Sequence, residues 1–223
     1  MPMDHFSPAD PFVNARLRMV AEQLRDRGIR DERVLQAMAT VPRHEFVPRE
    51  DWGEAYEDHP LPIGEGQTIS QPFIVAFMIE ALSAEAGDTV LEIGTGTGYE
   101  AAVLSRLATR VLTVERVASL AMRAQANFAR LGYSNIEVSV GDGNQGLPLS
   151  APFKRIIVAA AAPAVPEPLL QQLDENGTLV LPVGSADLQE LQVLRKAGGQ
   201  ITATNLGGCR FVPLISEASS RPK

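Results

Sequence analysis

Three glycines within five residues, Gly94, Gly96 and Gly98, follow a short apolar run at Val90, Leu91 and Ile93. They precede Ala101, Ala102, Leu104 and Leu107, which recur at helical spacing. A buried strand, a glycine turn and a helix in that order bring backbone N–H groups and the positive end of a helix dipole to one crevice. Open α/β sheets bind nucleotide-like ligands in such crevices. A second run, Arg110-Val111-Leu112-Thr113-Val114, ends in Glu115, about 20 residues past the glycines, the spacing of a carboxylate that meets ribose hydroxyls. A third, Ile136 to Val140, runs into Gly141-Asp142-Gly143. One such turn alone is weak, for it can be a turn without a ligand, and Glu115 alone can be a solvated strand end. Three in register after successive strands form a specific constellation.

Other chemistries find less support. Read as the dinucleotide pattern G-x-G-x-x-G/A, the turn places Tyr99 third if counted from Gly94, and Ala101 if counted from Gly96. The degenerate match leaves an NAD-dependent oxidoreductase open, but none of Tyr56, Tyr99 and Tyr133 is followed by a lysine at the Tyr-x-x-x-Lys spacing of hydride chemistry. His44 and His59 stand apart, with no H-E-x-x-H or cysteine pair, so no metal site is expected and both read as structural or surface loop residues. No serine sits in G-x-S-x-G. A net charge of −7 argues against an extended nucleic-acid surface. A single cysteine, Cys209, excludes an internal disulfide framework and suits a reducing cytoplasm. Neither a basic, apolar leader nor a membrane-length apolar run is visible. At 223 residues and 45% hydrophobic, the chain suffices for one core and is expected to form one domain over 11–215, with disordered tails at 1–10 and 216–223.

The elements that position these residues follow in order. Asp10-Pro11 opens a helix with Phe12, Leu17, Val20 and Leu24 on one face, closed by Gly28. Asp31 caps a second, carrying Val34, Leu35 and Met38, which stops before Pro42. Residues 42–66, rich in Pro, Gly and charge, read as loop. A helix spans about Pro72 to Leu82 with Ser70 or Gln71 at its cap. Later come a strand over Arg155–Val158, a helix over Pro166–Leu173 stopped by Asn176-Gly177, and a strand over Thr178–Val183. Gln189–Arg195 and Gln200–Asn205 read as an antiparallel hairpin. Arg210–Pro213 is either that strand's end or an edge piece, since Pro213 forbids a central strand.

The run Leu91-Glu92-Ile93-Gly94-Thr95-Gly96-Thr97-Gly98 resembles the first motif of class I S-adenosylmethionine-dependent methyltransferases. Further stretches narrow the resemblance: Pro42-Arg43-His44-Glu45-Phe46-Val47-Pro48, Gln67-Thr68-Ile69-Ser70-Gln71-Pro72, Pro152-Phe153 leading into Ile156-Ile157-Val158, Leu179 to Gly184, and Arg210-Phe211-Val212-Pro213-Leu214. Together, from about Arg16 to Leu214, the chain is similar to protein-L-isoaspartate O-methyltransferases. The fold expected is α/β: a Rossmann-like, mostly parallel seven-stranded sheet with a C-terminal antiparallel hairpin and added N-terminal helices.

The resemblance implies methyl transfer from S-adenosylmethionine to the free α-carboxylate of L-isoaspartyl residues in damaged proteins. The ester then closes to a succinimide, which hydrolyses partly to normal aspartate. It assigns Glu92, Gly94, Thr95, Gly96, Glu115, Asp142 and Gly143 to the cofactor, the last two near the adenine. Ser70 would orient the substrate carboxylate, while Thr68, Ile69, Arg210, Phe211 and Val212 would form its pocket. For Ser70 the alternative is a helix cap, and one residue can do both; for Arg210 it is edge packing. The partners implied are isoaspartyl proteins, not nucleic acid or membrane, met by a monomer. Two positions depart from the family pattern: Asn144 stands where an aromatic residue is usual, and Ala159 where a hydroxyl residue is. Rival functions are a same-fold methyltransferase with another acceptor, such as a peptide-tailoring enzyme, and a nucleotide-binding module without catalysis.

Overall fold

The computed structural model describes residues 10–185 and 187–215. The expected tails lie outside these residues, except for Asp10, whose carboxylate accepts the Phe12 N–H and the Arg16 guanidinium, each at 2.9 Å. Helix α1, Val13–Arg18, continues without a break as a π-helical stretch, Met19–Arg25. The wider turn rotates the covered face to Arg16, Met19, Val20 and Leu24. Leu17, assigned to that face by a 3.6-residue period, is instead 45% exposed. Asp31 caps α2, Glu32–Thr40, by accepting the Arg33 N–H at 2.8 Å.

Residues 42–66 are not plain loop. Short 3-10 turns at Arg43–Phe46 and Arg49–Glu54 lead into β1, Leu61–Gly64, which pairs antiparallel with β2, Gln67–Ile69. Leu61 and Ile63 point inward and Pro62 outward, while Gly64, Glu65 and Gly66 all take positive φ in the turn. Strands this short carry too little period to be read from sequence, and a proline among them hides what there is. Helix α3, Pro72–Leu82, begins with proline at its first position and buries Val75, Ala76, Met78, Ile79 and Leu82.

The main sheet is built from β3 Thr89–Ile93, β4 Arg110–Glu115, β5 Ile136–Val140, β6 Phe153–Val158, β7 Leu173–Gly184, β8 Gln189–Ala197 and β9 Gln200–Cys209. Their order is β5-β4-β3-β6-β7-β8-β9. The first five in that order run parallel, and β8 and β9 are antiparallel additions. Helices α4 Tyr99–Leu104, α5 Ala118–Leu131 and α6 Glu167–Gln172 join them. The α/β architecture expected from the sequence is the one observed. Asn176-Gly177, however, does not stop α6: the helix passes directly into β7 at Leu173, and the pair lies in an irregular stretch of that strand, Asn176 at φ +60°.

Side chains of β3, β4 and β6 alternate between two cores. Val90, Val111 and Ile157 face the layer of α2 to α5; Leu91, Ile93, Leu112, Val114, Ile156 and Val158 face Leu169 of α6. Winding proceeds outward from β3 to β4 and β5, then resumes at β6 on the other side of β3. The reversal leaves a crevice beyond the carboxyl ends of β3 and β6, the place where such sheets take ligands.

Candidate active site

The crevice is built on a rigid turn. The Gly94 N–H donates to Val114 O at 2.9 Å, and the Ala159 N–H to Ile93 O at 2.8 Å, which locks the end of β3 between its neighbours. The Thr97 hydroxyl donates to Phe46 O at 2.6 Å, and Asn127 Nδ2 to Thr97 O at 3.0 Å. Gly98 sits at φ +102°, where a Cβ would lie 2.4 Å from the Phe128 ring; only glycine lets the turn close on α5. At Gly143 a Cβ would lie 2.3 Å from Ile93, so the backbone after β5 approaches β3 as nearly as it can.

A cavity of about 320 Å³ opens here, lined among others by Gln67, Gly94, Gly96, Glu115 and Gly143. Glu115 Oε2 accepts the Gly96 N–H at 2.8 Å and Oε1 the Val117 N–H at 2.9 Å. Each carboxylate oxygen still has a second lone pair. The group is thus held by the backbone and keeps acceptors for a diol. A nucleoside fits that donor set and volume.

A second cavity, of about 500 Å³, adjoins the first and is lined by Ser70, Gln71, Ile74, Arg210, Phe211 and Val212 among others. Among the described residues, its wall holds no Asp, Glu or His. Ser70 is not a helix cap. Gln71 occupies the N-cap position and its side chain makes no cap bond. The Asp58 carboxylate does that work from a distance, accepting Gln71 Nε2 at 2.7 Å and the Phe73 N–H at 3.4 Å and pairing with Arg27. The hydroxyl of Ser70 is left to the cavity. Residues 210–214 form an edge piece, not a continuation of β9: Ala161 N–H donates to Val212 O at 2.8 Å, Leu214 N–H to Ala161 O at 2.7 Å, and the Gln189 amide brackets Phe211. A third, small pocket of about 40 Å³ lies between Ser70, Ile69, Thr95 and Glu100. All three share Thr68 and Ala159.

Most residues singled out in the sequence therefore converge. Three do not meet the cavities as expected. Glu92 is fully buried beneath the turn, where it accepts the Thr113 hydroxyl, itself 2.6 Å from the Thr95 hydroxyl. Asp142 turns its carboxylate onto the Asn144 N–H and side-chain amide, both at 2.9 Å, leaving Gly143 as the wall residue. That contact occupies Asn144, which stands where the family has an aromatic residue and is not among the lining residues of the first cavity. Sequence reasoning missed Arg116, Val117 and Ala160 in the first cavity and Pro60, Ile74 and Cys209 in the second, while Gln67 and Leu214, part of the quoted motif stretches, line the first. Arg116 and Val117 follow Glu115 directly and could have been found as its neighbours; Ala160, Pro60, Ile74 and Cys209 carry no local signal.

The histidines belong to the scaffold. His44 is buried against Phe12 and Trp52, its Nδ1 2.7 Å from the Tyr56 hydroxyl, and burial holds its pKa below the usual value. His59 is exposed. Among the described residues, no cluster of three or more His, Cys, Asp or Glu could hold a metal ion, and no helix is long and apolar enough to cross a membrane.

Known proteins share the sequence and the fold. The family model for protein-L-isoaspartate(D-aspartate) O-methyltransferase matches residues 15–219. A protein-L-isoaspartate O-methyltransferase of Koribacter versatilis is 56% identical over 211 residues, covering 95% of each chain. One from Methanoculleus marisnigri is 54% identical over 209 residues, 94% of this chain and 95% of its own. A solved Plasmodium falciparum structure, described as such an enzyme in complex with S-adenosyl-L-homocysteine, superposes with a TM-score of 0.78 at 26% identity, over 90% of this chain and 98% of its own. With a family model spanning nearly its whole length and a fold that superposes on a solved member over 90% of the chain, the chain belongs to the protein-L-isoaspartate(D-aspartate) O-methyltransferase family.

Proposed function

We propose that the protein uses S-adenosylmethionine to methylate the free α-carboxylate of L-isoaspartyl residues in damaged proteins, beginning their repair. The observation that carries this reading is the meeting of three cavities at Thr68 and Ala159, with an uncommitted serine hydroxyl beside them. The residues present suit the cofactor: Glu115 is braced to accept ribose hydroxyls, and glycine at 94, 96 and 143 lets backbone come close. When bound, S-adenosylmethionine supplies a methyl group on an activated sulfonium.

Little else is asked of the protein's chemistry. A carboxylate acceptor with a pKa near 4 is already ionised at pH 7, so no general base is needed, and the described residues of the second cavity include no Asp, Glu or His. Arg210 supplies a cationic side chain on that wall for an anionic acceptor. Ser70 donates its hydroxyl to one carboxylate oxygen, fixing the angle of the other, and Thr68 and Ile69 hold the loop against the glycine turn. Alignment of donor and acceptor carries the rate. Selection of isoaspartyl over aspartyl residues follows from the reach between peptide backbone and carboxylate, gauged by Gln67–Ser70 on one side and Arg210–Val212 on the other.

The same reading takes residues 11–215 as one domain, working as a monomer in the cytoplasm on proteins and not on nucleic acids; a single cysteine and a net charge of −7 support it. Its chemical signature is testable. An isoaspartyl peptide incubated with enzyme and cofactor should give a base-labile methyl ester, then succinimide, then some normal aspartyl peptide, followed by chromatography and mass spectrometry. An alkali-stable methyl group would refute carboxylate methylation. A milder change should act at the junction: Ala159→Thr should add one donor worth about 0.5–1.5 kcal/mol and lower the KM for peptide roughly 2- to 10-fold, with the isoaspartyl preference intact. Steady-state kinetics on matched peptides decides it.

A further inference from the structure

Two carboxyl groups lie buried behind the glycine turn without full partners. Glu92, in β3, is 0% exposed; Oε2 takes the Thr113 hydroxyl and Oε1 takes nothing. Glu100, the second residue of α4, is 7% exposed, and its Oε1 also has no partner. Buried polar atoms are almost always hydrogen-bonded, so two orphaned oxygens in one place point to a partner that arrives from outside.

Their position says what kind. A sulfonium carries three substituents, and three cavities meet at Thr68 and Ala159. The one with Glu115, at about 320 Å³, suits the adenosyl group. The one with Ser70 and Arg210 faces the acceptor and so receives the methyl. The remaining substituent is the amino-acid chain, and the remaining pocket is the small one bounded by Glu100, Thr95 and Gly96. At about 40 Å³ it holds one small polar group, such as an ammonium.

We propose that Glu100, backed by Glu92, is the counter-charge for the α-ammonium of the bound methyl donor, and that the carboxyl pair releases a proton to solvent when this cation enters. The proposal rests on the cofactor assigned above. The titratable groups around the pair are few. Glu115 of β4 faces Glu92, and the two buried glutamates face each other; Thr113 and Thr95 are the neutral polar neighbours. Burial pushes Glu92 up to about 8, with Glu115 adding and the Thr113 hydrogen bond opposing. Burial and then the charge of Glu92 raise Glu100 well above the usual carboxyl range. At pH 7 the empty pair therefore keeps a proton. A nearby cation favours the ionised form, so affinity for the donor should rise as pH is raised towards 8; above that the donor's own α-ammonium loses its proton and the gain ends.

Titration calorimetry at one pH in two buffers of different ionisation enthalpy counts the proton. Three ligands are used: S-adenosylmethionine, S-adenosylhomocysteine and methylthioadenosine, which has the adenosyl sulfur but no ammonium. Wild-type protein should release a proton fraction with the first two and none with the third. Glu100→Gln, close in shape to a protonated glutamate, should keep its melting temperature, lose the release, and bind the first two at least about tenfold more weakly while binding methylthioadenosine as before. Equal release from wild type and Glu100→Gln, or release with methylthioadenosine, would overturn the counter-charge. No heat with any ligand would overturn the cofactor assignment itself.

Discussion

Replacing Ser70 by alanine should slow methyl transfer roughly 10- to 100-fold while leaving cofactor affinity and melting temperature nearly unchanged. The size follows from one hydrogen bond to a charged oxygen, worth about 1.5–3 kcal/mol, lost where alignment decides the rate. The split follows from the structure. Because Asp58 and not Ser70 caps α3, no capping energy goes with the hydroxyl. Its loss should resemble a surface substitution, within about 0.5 kcal/mol. Turnover, calorimetric cofactor affinity and thermal melting on one preparation give the answer. A fall in melting temperature with normal turnover would make Ser70 structural.

Glu115→Ala should weaken S-adenosylmethionine and S-adenosylhomocysteine together, roughly 100-fold or more. Two ribose hydroxyls lose a charged acceptor, at about 1.5–3 kcal/mol each. The Gly96 and Val117 N–H groups lose the same carboxylate, so the turn's order suffers as well. Both ligands carry the ribose, and their affinity ratio should therefore stay constant. Direct titration tests both points. Unchanged affinity, or loss for one ligand only, would place the ribose elsewhere.

The strands that carry this site were legible because they are long apolar runs, and their acidic or glycine ends stand at fixed offsets. β4 and β5 begin and end where the sequence put them, and β3 ends at Ile93 as its apolar run does. What escaped was of two kinds. One is local structure whose signal is short or misleading. Leu61–Gly64 is four residues with a proline, Leu17 is turned out by a π-helical stretch, and Asn176-Gly177 has turn chemistry inside a strand. The other is tertiary use of a polar group. Asp58 caps a helix that begins 14 residues later, and Asn144 spends its amide on Asp142. Glu92 carries a motif residue's place but lies under the turn, while Glu100 reads as an ordinary acid in a first helical turn and is in fact buried. Periodicity says which face is covered; only packing says which carboxylates are stranded.

The central claim is methylation of an isoaspartyl carboxylate, and matched peptides test it most directly. Two peptides of one sequence, differing only in an aspartyl or isoaspartyl linkage, are incubated with the full chain and S-adenosylmethionine labelled in its methyl group. Base-labile label should appear on the isoaspartyl peptide and remain at background on its aspartyl counterpart. Equal labelling of the two, or label on neither from protein that binds the cofactor, would contradict the claim.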